Sequence, residues 1–194
     1  MAAVRLIAGL GNPGSEYAET RHNAGFRFLE ALLRAYPCTL RDEARFRGRI
    51  GKCALAGTDV LLLAPATYMN ESGDSIGRVV RYHKLTPDNL LVVHDELDLP
   101  VGAARLKIGG GTGGHNGLAS IERSLGSNAF ARLRLGIGRP PAGQDVVGYV
   151  LARAPSSERM ALDAAIARAL AELPDVLAGR MQHAMNRLHT EPGV

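Results

Sequence analysis

The segment VRLIAGLGNPGSEYAETRHNAGF, from Val4 to Phe26, decides between two kinds of α/β fold. Val4 to Gly9 reads as a buried strand, and Gly9, Gly11 and Gly14 then fit the G-x-G-x-x-G pattern of a dinucleotide-binding turn. In that pattern the helix opens at the glycines. Here Pro13 and the polar run Ser15 to Arg21 postpone helical periodicity until about Phe28, after which Phe28, Leu29, Leu32, Leu33 and Tyr36 fall on one face. No second strand ending in an acidic residue follows at the required distance, since Val60 to Ala64 ends in Pro65. The unit is strand, long polar loop, helix, and its spacing argues against a nicotinamide or flavin site.

Outward from this unit, apolar runs and helical stripes alternate. Ala44 to Ala56 predicts a strand pair or hairpin arm, Val60 to Ala64 and Leu90 to Val93 predict strands covered on both faces, and Ala103 to Ile108 alternates like a sheet edge. Helices are predicted over Ser72 to Leu85 and Asn116 to Leu125, with a strand at Arg132 to Gly138 and a Pro/Gly-rich turn at Gly138 to Gly143. The remainder is helical: Leu162, Ile166, Ala169, Leu170 and Leu173 form one stripe, Pro174 is expected to break it, and Leu177, Met181, Ala184, Met185 and Leu188 form the next. Strands alternating with helices predict one three-layer α/β/α domain over residues 1–194, built on a mixed, largely parallel sheet.

Of 194 residues 46% are hydrophobic and 22% charged, which suits one well-buried core. The net charge of +4 mildly favours an anionic partner. Cys38 and Cys53, the only cysteines, show no CxxC spacing, so neither a disulfide framework nor a zinc ribbon is indicated and a reducing cytoplasm is the expected location. The apolar start MAAVRLIAGLG is too short for a signal-peptide core, and no run approaches the roughly 20 apolar residues of a membrane helix.

Several polar stretches follow these strands and glycine turns: Gly9 to Phe26, PATYMNESG (Pro65 to Gly73), HDELDLP (His94 to Pro100) and GGGTGGHNG (Gly109 to Gly117). Such positions reach the sheet edge where open α/β folds bind ligands. In the glycine cluster His115 stands where a Walker loop requires lysine, so nucleotide binding of that kind is excluded. There is no G-x-S-x-G elbow, no HExxH, and no metal-ligand spacing among the six histidines. Water is then the expected nucleophile for an acyl transfer, which calls for a histidine base steered by a carboxylate. His22, ahead of the first helix, and Asp95, past a buried strand, fit those parts; the helix start works against protonation of His22 and Asp95 works for it. Singly, either residue is ordinary capping or turn chemistry. Asn12, Asn70 and Asn116 add uncharged amides, each with donors and an acceptor, able to hold a water, a carbonyl oxygen and a peptide backbone.

The motifs GLGNPG-x-x-Y-x-x-T-R-H-N-x-G, T-Y-M-N-x-S-G, H-D-E-L-D-L-P and G-G-G-x-G-G-H-N-G, with N-R-L-H at Asn186 to His189, resemble the bacterial-type peptidyl-tRNA hydrolases over residues 4 to about 189. The resemblance implies hydrolysis of the ester joining a peptide to the tRNA 3′ ribose, without cofactor or metal, by a cytoplasmic monomer that recycles tRNA and prefers N-acylated substrates. It implies His22 as base, Asp95 as its orienting acid, Asn12 and Asn70 as substrate-positioning amides, Asn116 as holder of the attacking water, Tyr17 and Met69 as substrate-binding residues, and Lys107 with Arg134 as a phosphate clamp at the tRNA 5′ end. Asp145 departs from a basic residue seen in some members, which weakens or moves one RNA contact, and Thr112 from a histidine. Residues Gly138 to Val150, with Pro140 and Pro141, are expected to form a flexible wall. A non-catalytic RNA-binding relative is the rival reading, and the complete polar set favours the enzyme.

Overall fold

The computed structural model describes residues 2–190. Its seven strands are β1 (Leu6–Gly9), β2 (Arg41–Glu43), β3 (Gly48–Leu55), β4 (Thr58–Pro65), β5 (Leu90–Glu96), β6 (Ala104–Ile108) and β7 (Ala131–Gly136), in the order β2-β3-β4-β1-β5-β7-β6. β4, β1, β5 and β7 run parallel, β3 and β6 lie antiparallel to their neighbours, and β2 is antiparallel to β3, so five strands share one direction. The sheet is mixed and largely parallel by direction, as the alternation of patterns predicts, and β6 occupies an edge as its polar alternation required.

Helices α1 (Ala24–Ala35), α5 (Ser156–Leu177) and α6 (Met181–His189) cover one face. Phe28, Leu32, Leu162, Ile166 and Leu173 pack there on Ile7, Leu62, Leu91 and Leu133. On the other face α2 (Ser72–Tyr82) and α3 (Asn116–Leu125) bring Ile76, Val79, Leu118 and Ile121 against Leu6, Ala8, Leu63 and Val92. A short α4 (Val146–Leu151) stands outside both layers. Consecutive residues of β1 thus enter opposite cores, which is why the central strands are apolar throughout. Among the described residues no helix is long and apolar enough to cross a membrane.

The first glycines serve packing. A Cβ on Gly9 would lie 2.4 Å from the Gly25 carbonyl oxygen, and one on Gly25 would lie 2.3 Å from the Leu10 nitrogen. Only glycine at both positions lets α1 sit backbone-to-backbone on β1, so the resemblance to a dinucleotide turn comes from helix–strand contact.

Four sequence expectations change. Pro174 does not break the helix: α5 runs on to Leu177, because the lost N–H donor falls in the last turn while Leu173, Val176 and Leu177 stay buried in the core. The turn and wall region includes helix α4, started by Asp145, whose carboxylate accepts the Gly148 N–H at 2.8 Å. Asp95 lies within β5, held by the ladder to β7, instead of beyond it. Cys38 and Cys53 are joined, with Cα atoms 5.7 Å apart. The β2–β3 register explains the pairing, since Arg41 faces Ile50 and three further steps along each chain bring Cys38 opposite Cys53.

Candidate active site

The carboxyl ends of β1, β4 and β5 converge where the chain reverses its order across the sheet, and the polar loops meet there. Past β1, Asn12 is locked by Asn23: the Asn12 N–H donates to Asn23 Oδ1 at 2.8 Å, and Asn23 Nδ2 donates back to the Asn12 carbonyl at 3.0 Å. Past β4, the Met69 N–H donates to Asn12 Oδ1 at 2.7 Å. With its oxygen occupied, Asn12 is oriented to offer Nδ2 as a donor. Asn23, fully part of this arrangement and buried, went unread in the sequence, where it is only the neighbour of His22.

His22 sits on the single 3-10 turn Arg21–Asn23 that leads into α1. Its Nδ1 lies 3.1 and 3.0 Å from the two carboxylate oxygens of Asp95. Asp95 has a second imidazole partner, His115, whose Nε2 is 2.9 Å from Oδ1. His115 also caps α3, its Nδ1 accepting the N–H groups of Gly117 at 3.1 Å and Leu118 at 3.4 Å. A nitrogen that accepts those bonds keeps its lone pair, so the His115 proton resides on Nε2 and is donated to Asp95. Asp95 therefore stays a carboxylate receiving two N–H donors; burial pushes its acidity toward the neutral form, but His115 and then His22 outweigh it and hold the group well below the usual carboxylate range. Sequence reading used His115 only to exclude a Walker lysine, because its role depends on partners brought in from β5.

The donor atoms of His22, Asp95 and His115 lie within 4.8 Å of one another, a spacing that a metal ion can use. Ligation through His115 Nε2 would move its proton to Nδ1, against the Gly117 and Leu118 N–H groups. The set fits a hydrogen-bonded chain that orients His22 better than a metal centre.

His94 lies behind this pair, with Nδ1 donating to the Asp95 carbonyl at 2.6 Å and its ring 5.0 Å from that of His115. Complete burial, then the proximity of His115, lowers its pKa to about 3 from the ordinary 6.5. Between those values the unfolded chain binds a proton that the folded one refuses, so stability is fully present above pH 6.5 and falls as pH drops toward 3. This one group is expected to remove roughly 1 kcal/mol of unfolding free energy per pH unit in that window. Urea unfolding at pH 7, 6 and 5 checks it: His94→Gln should flatten the dependence, and a slope equal to the parent's would assign the acid sensitivity elsewhere.

Asn70, exposed on the 3-10 turn Met69–Glu71, and Asn116, the first residue of α3, complete a crevice of about 420 Å³ lined also by Asn12, Tyr17, His22, Tyr68, Met69, Val147, Val150 and Leu151. Tyr17 and Tyr68 meet edge to face with centroids 6.4 Å apart. A smaller compartment of about 90 Å³ continues past His22 and Asn116 to Glu96, Leu97 and Thr112 to Gly114. Seven predicted residues, Asn12, Tyr17, His22, Met69, Asn70, Asp95 and Asn116, are thus brought together. Lys107 and Arg134 stand apart, on β6 and β7. The register pairs Lys107 with Arg132 and Arg105 with Arg134, placing four basic residues on one sheet face. Lys107 is exposed, whereas Arg134 Nε donates to Glu96 Oε2 at 2.9 Å and Arg132 is buried, holding the Gly111 carbonyl at 2.6 Å.

Comparison with known proteins bears on this site as a whole. A family model described as peptidyl-tRNA hydrolase matches residues 6–193. The chain is 53% identical over 186 residues to a peptidyl-tRNA hydrolase of Methylococcus capsulatus, covering 96% of this chain and 99% of that one. It is 46% identical over 188 residues to one of Neisseria meningitidis, covering 97% and 98%. A crystal structure of peptidyl-tRNA hydrolase from Acinetobacter baumannii superposes with a TM-score of 0.92 at 48% identity, covering 96% of this chain and 95% of that one. With fold, motifs and near-complete coverage in agreement, the chain belongs to the peptidyl-tRNA hydrolase family.

Proposed function

We propose that this hydrolase cuts the ester between a peptide's terminal carbonyl and the tRNA 3′ ribose, using a water deprotonated by His22. The observation that carries the mechanism is the hydrogen-bond chain His22–Asp95–His115. Because His115 gives its Nε2 proton to Asp95, the carboxylate is left to accept from His22 Nδ1, and the lone pair of His22 Nε2 faces the water. Asn116, at the junction of the two compartments, holds that water. Asn12, through Nδ2, and Asn70 present uncharged donors to the acyl carbonyl, the peptide amide and the developing oxyanion. Tyr17 and Met69 supply apolar contact to the acyl portion. Amides that read a peptide bond, with no carboxylate assigned to a free amine, favour N-acylated substrates. The catalytic unit is the single domain 1–194, a cytoplasmic monomer that needs no cofactor. Release of peptide from an N-acyl-aminoacyl-tRNA under steady-state conditions tests the reading, and binding without turnover would establish the RNA-binding rival instead.

Lys107 and Arg134 clamp tRNA phosphate. Lys107 is exposed and meets no carboxylate among the described residues, while Arg134 must share its guanidinium with Glu96. Lys107→Ala is expected to weaken tRNA binding and to lower the slope of log K against log salt by about 1, with a smaller change for Arg134→Ala. Titration between low and physiological salt measures it; parental slopes in both variants would place the clamp elsewhere.

A further inference from the structure

Arg21 shares the 3-10 turn with His22 but projects away from the crevice, and it is 8% exposed. Its Nε and Nη2 donate to the two carboxylate oxygens of Glu158 at 2.9 and 3.2 Å, and Nη1 donates to the Tyr149 carbonyl at 3.2 Å. Its guanidinium carbon stands 4.1 Å from the centroid of the Tyr149 ring. The main chain adds to this grip, with the Arg21 N–H donating to the Ala152 carbonyl at 3.3 Å and Thr20 bridging to Arg153. One side chain thus fastens α4 and the start of α5 to the turn that carries His22.

The fastening is needed because α4 spans only Val146–Leu151, too short to persist without tertiary support. Val147 and Leu151 on its free face, with Val150 buried between them, wall the crevice that Tyr68 and Met69 also line. Val147 is 57% and Leu151 38% exposed. Apolar side chains left open beside a polar reaction centre suit the acyl portion of a substrate, which covers them on binding.

We propose that Arg21 is a positioning residue: by stacking on Tyr149 and pairing with Glu158 it fixes α4 as the acyl-side wall, so that substrate affinity, and not the proton transfer at His22, depends on it. This rests on the reading of the crevice as the site of a peptidyl ester. Lysine cannot replace Arg21, since an ammonium cannot pair in a bidentate way with Glu158 while lying flat on the ring.

The test measures KM and kcat on an N-acyl-aminoacyl-tRNA, with hydrogen exchange of the 146–151 amides in parallel. Arg21→Lys and Tyr149→Leu are each expected to raise KM by about tenfold and to leave kcat within about twofold and its pH profile in place. The double variant should be no worse than the weaker-binding single, because both remove one clamp. Tyr149→Phe, which keeps ring and carbonyl and loses only the hydroxyl's bond to the Ile137 carbonyl at 2.6 Å, should raise KM less than Tyr149→Leu. Exchange over α4 should quicken in Arg21→Lys. An unchanged KM, a loss confined to kcat, additive effects in the double variant or unaltered exchange would each overturn the proposal. Should Arg21→Lys fail to fold, Tyr149→Leu carries the same comparison. Absence of turnover by the parent chain would overturn the functional reading instead, and the exchange measurement would still judge the clamp.

Discussion

His22→Ala is expected to lower kcat by about 10³-fold or more while tRNA affinity stays near that of the parent. Alanine removes the group proposed to accept the water proton but leaves Asn12, Asn70, Asn116 and the basic strand face in place. None of the interactions holding Asn12 runs through His22, since its partners are Asn23 and the Met69 N–H. The predicted loss therefore falls on the transition state alone. Single-turnover rates at saturating enzyme, paired with equilibrium binding of the acylated tRNA, separate the two quantities. A rate within tenfold of the parent would remove His22 as the base. A parallel collapse of binding would make it a structural residue of the crevice instead.

What the sequence reveals follows from the range of the interactions concerned. Asn116 to Leu125 is legible to the residue, because a glycine loop precedes it and Gly126, at φ 64°, ends it. The edge position of β6 is legible in its alternation. Helix α4 is not, since six residues carry too little periodicity and its anchor, Arg21, lies 128 residues from Tyr149. Pro174 misleads because local propensity is overruled by the burial of Val176 and Leu177. The same limit applies within the site. His22, Asp95 and the three crevice asparagines stand out by residue type and by their place in polar stretches. Asn23, Arg21 and His115 act through partners that only the fold supplies, 11, 137 and 20 residues away.

His115 also determines what an asparagine at position 95 would do. The parent carboxylate offers His22 Nδ1 two oxygens, at 3.1 and 3.0 Å, and His115 one of them, whereas an amide keeps one oxygen and puts an NH₂ in place of the other. His115 cannot yield: turning its proton to Nδ1 would set it against the Gly117 and Leu118 N–H groups and uncap α3. The amide oxygen of Asp95→Asn is thus drawn to His115, and its NH₂ faces His22 Nδ1. With an NH₂ in place of the oxygen at 3.0 Å, Nδ1 is drawn to accept, which shifts the His22 proton toward Nε2, the atom proposed to take a proton from water. Asp95→Asn is expected to lower kcat by about 10⁴-fold with little change in tRNA binding, the scale seen when a catalytic histidine is held in the wrong tautomer. Adding His115→Ala to Asp95→Asn frees the amide to turn its oxygen toward His22, so the double variant should recover part of the lost rate. Proton–nitrogen spectra of the His22 ring report the tautomer directly. A Nδ1–H tautomer in Asp95→Asn, or a double variant slower than the single, would show that His115 does not dictate how Asp95 presents itself to the base.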